Sequence, residues 1–316
     1  MSDAFIRDQI DQDFDKAKGK ALFESIFNVM RPEKRELLSF YSIKELVKPR
    51  SETYRGMKTV NISDIVGSEG RYNDFNKTFL PKREHLRNRW TSIDSAYYKD
   101  VNLPPIKLYK LGEVYFVRDG NHRVSVAKTQ GIGAIDAEVV ELSAHIKVTK
   151  GMTMGDIKCA LIAYERERVI SSTGMDKIID MELIRFTATG RYDEMLRHIL
   201  GHKYFISQEA GEEVEFEAAL SSWFNSIFLP IHKIIVANKL SSRFPGRTDA
   251  DIYMWIVKHW DGLKSKYGQD FPLEEAAAEY SSLYGRSRLQ QFLSGLKKIL
   301  VRIFRKEDPH SADSKG

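Results

Sequence analysis

The chain has 316 residues, of which 42% are hydrophobic and 11% aromatic, so it can bury sizeable cores, and a chain that is disordered over most of its length is excluded. Its length predicts two domains. The net charge of +5 permits contact with nucleic acid but is too small to indicate it, and the single cysteine, Cys159, excludes a disulfide framework and a cysteine-based zinc site within one chain.

We expect a cytoplasmic protein. A lone cysteine suits a reducing compartment, and no apolar run approaches the ~20 residues that a membrane span needs. The first residues also lack the basic-then-apolar pattern of a signal peptide.

Residues 1–57 are predicted to form a charged, helical segment, because the apolar residues before Pro49 recur at partly helical spacing. A short strand is predicted over 59–62, and a glycine-containing turn follows it at 67–71. Residues 82–100 again have a helical pattern.

Two β-rich runs, 106–109 and 114–117, flank a short glycine-containing turn and predict a β-hairpin. The chain then starts a helix over 121–130, for which Gly131 is the expected C-cap. A strand over 135–140 completes a pattern typical of a small mixed α/β domain.

The rest of the chain is predicted to be mostly helical, with Pro230 expected to break or kink one of the helices. The predicted helices are 155–170, 176–186, 191–200, 209–240, 249–268, 272–282 and 287–305. The fold class is therefore α+β, a small mixed α/β domain followed by a mostly α-helical domain. The predicted divisions are 1–57, 58–145, 146–285 and 286–316.

The junction between the second hairpin strand and the next helix is the main candidate site. A helix N-terminus exposes unpaired N–H groups and a partial positive charge, so it binds anions readily. Gly120 permits close backbone approach, Arg123 can clamp phosphate oxygens, and His122 can hydrogen-bond beside it. The candidate ligand-binding residues here are Asp119, Gly120, Asn121, His122, Arg123 and Ser125. The structural alternative is that Asp119 or Asn121 caps the helix while Arg123 forms a local ion pair.

These residues carry a family resemblance. The stretch Val60–Leu142 resembles the ParB/sulfiredoxin-like superfamily, and the string Asp119–Arg123 looks like the Asp-Gly-x-His-Arg signature of several of its branches. The resemblance implies a turn that binds nucleotide phosphates, as with CTP in chromosome-partition proteins and ATP in sulfiredoxins. Sulfiredoxins need a cysteine in this turn, where this chain has Asn121, so the resemblance does not extend to their cysteine chemistry. A helix-turn-helix like that of the partition proteins is not recognised.

A second resemblance covers more of the chain. The strings Val66–Ser68, Arg89-Trp90, Tyr115–Ala127 and Phe244–Asp251 look like a group of uncharacterised bacterial ParB-like proteins with a helical C-terminal region. This resemblance implies the same two-part architecture and little about activity.

Several other residues are candidate ligand contacts. Gly67, Ser68 and Arg71 could form a second phosphate-facing nest, or an ordinary turn. Asp74 could support a metal or pair with Arg71. Arg89 could clamp a base beside Trp90, although Trp90 is as readily explained as a core residue.

Two further features lie in the helical half. Arg247 is a secondary candidate, because helix capping explains its polar neighbours but not Arg247 itself. It could reach the ligand site or a partner, or remain a loop residue. His198 and His202 are four residues apart but lack the glutamate of a zinc protease motif, so they are interpreted as structural and no metal site is predicted.

The leading functional hypothesis is a nucleotide- or phosphate-binding regulatory protein of the ParB-like superfamily. The expected ligands are ATP or CTP with Mg²⁺, slow triphosphate hydrolysis is a further hypothesis, and no catalytic residue is assigned. The alternatives are a DNA-associated regulator or nuclease, which salt-dependent retention on DNA would favour, and a non-catalytic interaction scaffold.

The segment 286–306, called here the basic segment, has seven basic residues and no acidic residue. Its apolar residues recur at helical spacing, which predicts a basic amphipathic helix. Such a helix can pack on the helical domain, lie on an anionic membrane, dock on an acidic protein partner or attract nucleic acid.

Overall fold

The computed structural model describes residues 3–27, 37–237 and 239–267. Contacts divide the chain into two compact units, with the division between Leu161 and Ile162. The helices are α1 Asp3–Phe27, α2 Phe40–Val47, α3 Arg87–Tyr98, α4 Asn121–Thr129, α5 Met154–Thr173, α6 Arg191–Ala210, α7 Phe216–Trp223, α8 Leu229–Ala237 and α9 Asp249–Tyr267. The strands are β1 Leu38–Ser39, β2 Ser51–Asn61, β3 Ile65–Ser68, β4 Ile106–Leu111, β5 Val114–Asp119 and β6 Ala134–Ser143.

The first unit contains a six-stranded mixed sheet in the order β1-β3-β5-β4-β6-β2. Strands β4 and β5 form the predicted antiparallel hairpin, with Leu108 opposite Val117. Strand β5 also pairs in parallel with β3, and β4 pairs in parallel with β6. The hairpin therefore occupies the centre of the sheet, and the end of β5 presents the predicted site.

Alternating side chains of the central strands serve two cores. On one face Ile106, Leu108 and Val117 pack with Val124 and Ala127 of α4. On the other face the ring of Phe40 in α2 stacks on Tyr109, with centroids 4.2 Å apart, and lies 5.5 Å from Phe116. This alternation follows from the period of two along a strand, which sends neighbouring side chains to opposite faces.

Four predicted elements differ from the observed ones. The predicted helix 209–240 is interrupted, because α6 continues to Ala210, residues 211–215 are not helical and α7 begins at Phe216. Residues 51–57 are not helical but form most of β2. Gly67 and Ser68 belong to β3 rather than to a turn. Residues 176–186 hold only a short 3₁₀ turn at Met175–Lys177 and otherwise bends and turns. In each case tertiary pairing or burial overrides the local pattern.

Gly67 explains why the sequence predicts a turn where the structure has β3. A Cβ at this position would overlap the carbonyl of Leu38 and lie 2.6 Å from ring atom Cδ1 of Phe116. The glycine is thus required for β1 and an aromatic ring to approach β3, and it does not mark a turn.

The described part of the second unit contains helices joined by turns and no strand, and its core is rich in aromatic rings. Trp223 and Phe228 pack against Tyr253 of α9, with centroids 6.0 and 5.0 Å away. Around Pro230 the chain stays helical, with a π-helical turn at Phe224–Phe228 just before it. A π turn of this kind accommodates the local irregularity of a helix that contains proline.

The apolar stretch 216–237 is long and apolar enough to cross a membrane, judged by length and composition alone. Its Trp223, Phe228 and Ile231 are buried in the core of the second unit. Buried core helices of soluble proteins meet the same criteria of length and composition, so the stretch is only weak evidence for a membrane span. The cytoplasmic location stays a prediction.

Domain limits are predicted at 57/58 and 145/146, whereas the contacts of the folded chain divide it once, at 161/162. The limit at 285/286, the predicted helices 272–282 and 287–305, and the basic segment lie outside the described residues.

Candidate functional site

The strand-to-helix junction has the geometry that the sequence predicts. Strand β5 ends at Asp119, and Gly120 begins α4 with a φ of +104°. A Cβ on Gly120 would overlap Cγ2 of Ile106, so both the backbone angle and the space require glycine. The first helical hydrogen bond runs from Val124 N to Gly120 O, 3.0 Å.

The N-terminus of α4 has no side-chain cap. The residue in the N-cap position is Gly120, and neither the Asp119 nor the Asn121 side chain accepts a hydrogen bond from a backbone N–H of the first turn. The capping part of the structural alternative is therefore wrong. An uncapped first turn leaves backbone N–H groups available to an anion.

Arg123 is held within the protein. Its Nη1 donates to the carbonyls of Pro104 and Pro105, the latter at 3.0 Å, and Nη2 donates to Asp119 Oδ2 at 2.7 Å. The side chain is only 11% exposed. Arg123 thus fastens the loop before β4 to the start of α4, and Asp119 orients it. The local ion pair of the structural alternative is confirmed.

Two buried polar groups follow Gly120 without a hydrogen-bond partner among the described residues. They are Asn121 Oδ1 and His122 Nε2, in side chains that are 8% and 5% exposed. The His122 ring packs edge-on against Phe75, with centroids 5.4 Å apart. A buried polar atom without a partner costs free energy, so such atoms point to a missing ligand or water.

Three basic side chains, Arg71, His85 and Arg89, called here the basic cluster, are near enough for their charges to act on His122, as is the acid Asp74. Burial lowers the pKa of His122 to about 4, and the nearby charges of Arg71 and Arg89 add to this effect. His122 is therefore neutral at pH 7. Arg71 donates to Asp74 at 3.2 Å, which confirms the predicted pairing, and Arg89 is exposed with no ion pair among the described residues.

Sequence analysis missed His85. It lies in the 3₁₀ turn Glu84–Leu86, directly before α3, and one turn ahead of Arg89. The four-residue spacing was the available signal. Nothing else in the sequence links His85 to the start of α4.

Three predicted contacts are used inside the fold instead. Gly67 packs against Phe116, and Ser68 is fully buried, with its hydroxyl 3.4 Å from Val117 O and from Arg71 N. Ser125 is also fully buried, and its Oγ accepts a 2.9 Å hydrogen bond from Trp90 Nε1. Trp90 itself is a core residue with no exposed surface, as its structural interpretation predicted.

Replacing Ser125 with alanine should destabilise the fold by about 1–2 kcal/mol, because the buried indole N–H of Trp90 would lose its acceptor. Urea denaturation at pH 7 measures this loss. Ligand affinity of the folded variant should stay unchanged. A variant of full stability that no longer binds phosphate ligands would instead make Ser125 a ligand contact.

His122 should make stability depend on pH. Its pKa is about 4 in the folded chain and 6.5 in the unfolded chain, so its contribution is complete above pH 6.5 and is lost as the pH falls towards 4. The expected loss between pH 8 and pH 5 is about 2 kcal/mol.

The measurement compares the wild type with His122→Gln, which does not titrate, by urea denaturation at both pH values. The wild type should lose about 2 kcal/mol more than the variant. The comparison is needed because burial raises the pKa of Asp94 to about 6, which acts in the opposite direction. Parallel pH profiles would contradict the prediction, because they would show that His122 has the same pKa in the folded and in the unfolded chain.

The secondary candidate Arg247 lies in the second unit. Its Nη1 donates to Thr187 Oγ1 at 2.9 Å, and Asp251 accepts hydrogen bonds from Thr187 and Thr248. This network explains how the loop before α9 is held. A role for Arg247 towards the ligand site stays a prediction.

Comparisons with protein-family models, with curated proteins and with solved structures found no match to this chain.

Proposed function

We propose that this protein binds a phosphate-containing ligand, in the first instance a nucleoside triphosphate, at the N-terminus of α4, and acts as a nucleotide-binding regulatory protein of the ParB-like kind. The observation that carries the proposal is the coincidence of an uncapped helix N-terminus with two buried polar atoms, Asn121 Oδ1 and His122 Nε2, that have no hydrogen-bond partner among the described residues. Ordinary helix starts satisfy these groups internally.

The charges around this point favour an anion. Arg71 and Arg89 are exposed cations that act on His122, and His85 adds a third basic side chain. Arginine matches phosphate geometry through its planar set of donors. The amide of Asn121 can present either its oxygen or its nitrogen by a 180° rotation, so it can donate to a phosphate oxygen.

In this proposal, phosphate contact passes from Arg123 to other residues of the site. Arg71 and Arg89 contact the phosphates, backbone N–H groups of α4 bind the terminal oxygens, and Asn121 and His122 complete the shell. Arg123 is a positioning residue, because its terminal nitrogens already bond to the 104–105 loop and Asp119. Slow hydrolysis with Mg²⁺ remains part of the proposal, as does sensing of the bound state by the helical unit.

Isothermal titration calorimetry tests the proposal directly. ATP, CTP, ADP and inorganic phosphate are titrated with and without Mg²⁺, and melting temperature is followed in parallel, since a ligand of the native state stabilises it by RT ln(1 + [L]/Kd). We expect at least one nucleotide to bind with a Kd below a millimolar level and to raise the melting temperature.

The absence of heat and of a thermal shift with every phosphate ligand at millimolar concentration would overturn the proposal. Phosphate release from the nucleotide that binds tests for hydrolysis. Retention on duplex DNA that falls steeply with salt, in the absence of nucleotide binding, would support the DNA-associated alternative.

A further inference from the structure

A surface of the second unit has the properties of a docking site. The last turns of α6 and the turn after it border an open groove of about 500 Å³, called here the α6 groove. It is lined by Leu200, Lys203, Tyr204, Ser207, Glu212 and Glu213, together with Gln208 and Gly211. Leu200 is 47% exposed and Tyr204 69%, and Phe205 beside them is 44% exposed. Large apolar side chains grouped in this way mark surfaces that bind another segment.

Acidic residues lie in this groove and close to it in the sequence. Glu212 and Glu213 line the groove, and together with Glu209, Glu215 and Glu217 they make five exposed glutamates within nine residues. Glu213 pairs with Lys203 at 2.6 Å, and Lys203 is the one lysine or arginine between 200 and 217. The groove thus offers apolar contacts beside acidic side chains, which suits a basic amphipathic occupant.

The directions of the helices show towards which end of the unit α9 runs. Helices α6 and α7 are antiparallel, since His202 Nε2 lies 3.0 Å from Ser222 Oγ and Val214 N bonds to Ser207 Oγ across the turn. Helices α8 and α9 are also antiparallel, because Phe228 contacts Tyr253 while His232 lies 3.7 Å from Asp249. Since the chain continues from α7 into α8 in one direction, α9 runs with α6.

Helix α9 therefore points towards the same end of the unit as α6, whose last turns border the α6 groove. The basic segment, 286–306, begins after eighteen further residues. Eighteen residues can reach up to about 60 Å when extended, so they easily allow the chain to return to the groove. Linkage at this distance also gives a high effective concentration.

We propose that the basic segment docks in the α6 groove of its own chain. Its apolar residues, among them Phe292, Leu296 and Ile299, cover Leu200, Tyr204 and Phe205, and its lysines and arginines face the glutamates of 209–217. This occupant matches the groove in charge and in apolar character, and the eighteen residues before it are long enough to reach the groove. The inference does not depend on the proposed nucleotide site.

Cysteine cross-linking in the full chain tests this docking. In a Cys159→Ser background, Tyr204→Cys places one thiol in the groove and Ser294→Cys places another in the basic segment, outside its apolar set. Mild oxidation should form an intramolecular disulfide at a rate independent of protein concentration. Adding Glu212→Lys and Glu213→Lys should slow this reaction about tenfold, because attraction at two pairs becomes repulsion.

The matched control reverses two exposed acids elsewhere in the same unit, Glu167→Lys and Asp176→Lys, and should leave the rate unchanged. Carbodiimide coupling of the unaltered chain is a second readout, since it should join Lys297 or Lys298 to glutamates of 209–217. Equal rates in the groove and control variants would overturn the proposal. So would a cross-link that forms only between molecules, which would make a second copy the occupant.

Binding to vesicles of anionic phospholipid is a third test of the docking. Docking in the groove predicts that the wild type binds them weakly and that Glu212→Lys with Glu213→Lys releases the basic segment and increases binding. Tight vesicle binding by the wild type, with no intramolecular coupling, would instead assign the basic segment to a membrane surface.

Discussion

Replacing Arg71 and Arg89 together with alanine is expected to weaken binding of ATP or CTP by at least about a hundredfold. Each arginine should contribute one charge-assisted hydrogen bond to phosphate, worth about 1.5–3 kcal/mol, and 1.4 kcal/mol corresponds to a tenfold change in Kd. Both side chains are exposed, and within the described part of the chain the one ion pair lost is that between Arg71 and Asp74. Stability should therefore change by less than about 0.5–1 kcal/mol.

Calorimetry with the double variant measures the effect, and Arg55→Ala is the matched control. Arg55 is an exposed arginine with one carboxylate partner, Glu141, but it lies on the edge strand β2, three strands away from β5. It should leave the Kd unchanged. If the double variant keeps its affinity within a factor of three, the ligand does not contact the basic cluster.

Replacing Gly120 with alanine is expected to have the largest effect on stability, a loss of about 3 kcal/mol. A residue with a Cβ at a φ of +104° is strained by about 1–2 kcal/mol. The added methyl group would also overlap Cγ2 of Ile106 and lie 3.1 Å from Arg123 Nη2. Overpacking of a closed site adds about 1–3 kcal/mol. Movement of the α4 start should reduce nucleotide affinity as well.

Gly131→Ala separates the two causes. Gly131 also has a positive φ, +74°, but a Cβ there would meet nothing within 4 Å. Its replacement should cost only the backbone strain, about 1 kcal/mol. Urea denaturation of both variants at pH 7 gives the comparison. Similar losses in the two variants would mean that Gly120 serves only to permit its backbone angle.

The parts of the fold that sequence alone predicted are those with a strong local pattern. The β4–β5 hairpin and α4 follow from alternating β-rich runs and from glycines at positions of positive φ, and both were confirmed. Helices α6 and α9 likewise follow from helical periodicity with polar starts. Such patterns persist because each residue's neighbours along the chain are also its neighbours in the element.

Other features depended on distant partners and could not be read locally. Strand β2 is exposed along most of its length, so no alternating apolar pattern marks it, and it is fixed by pairing with β6. The same holds for the short β3, whose Gly67 faces the Phe116 ring.

For the candidate site, the sequence predicts that a helix beginning after Gly120, with Asn121, His122 and Arg123 in its first turn, follows the second strand of the hairpin. The central place of that strand in the sheet and the partners of each side chain are seen only in the folded chain. In the folded chain Arg123 donates hydrogen bonds to Pro105 and Asp119, and Ser125 accepts one from Trp90. Asn121 Oδ1 and His122 Nε2 are buried without a hydrogen-bond partner among the described residues. The fold also brings His85 and Arg89 to the same place. The physical reason is that backbone conformation at a turn is set by local sterics, whereas the partners of a side chain are set by which segments the fold packs together.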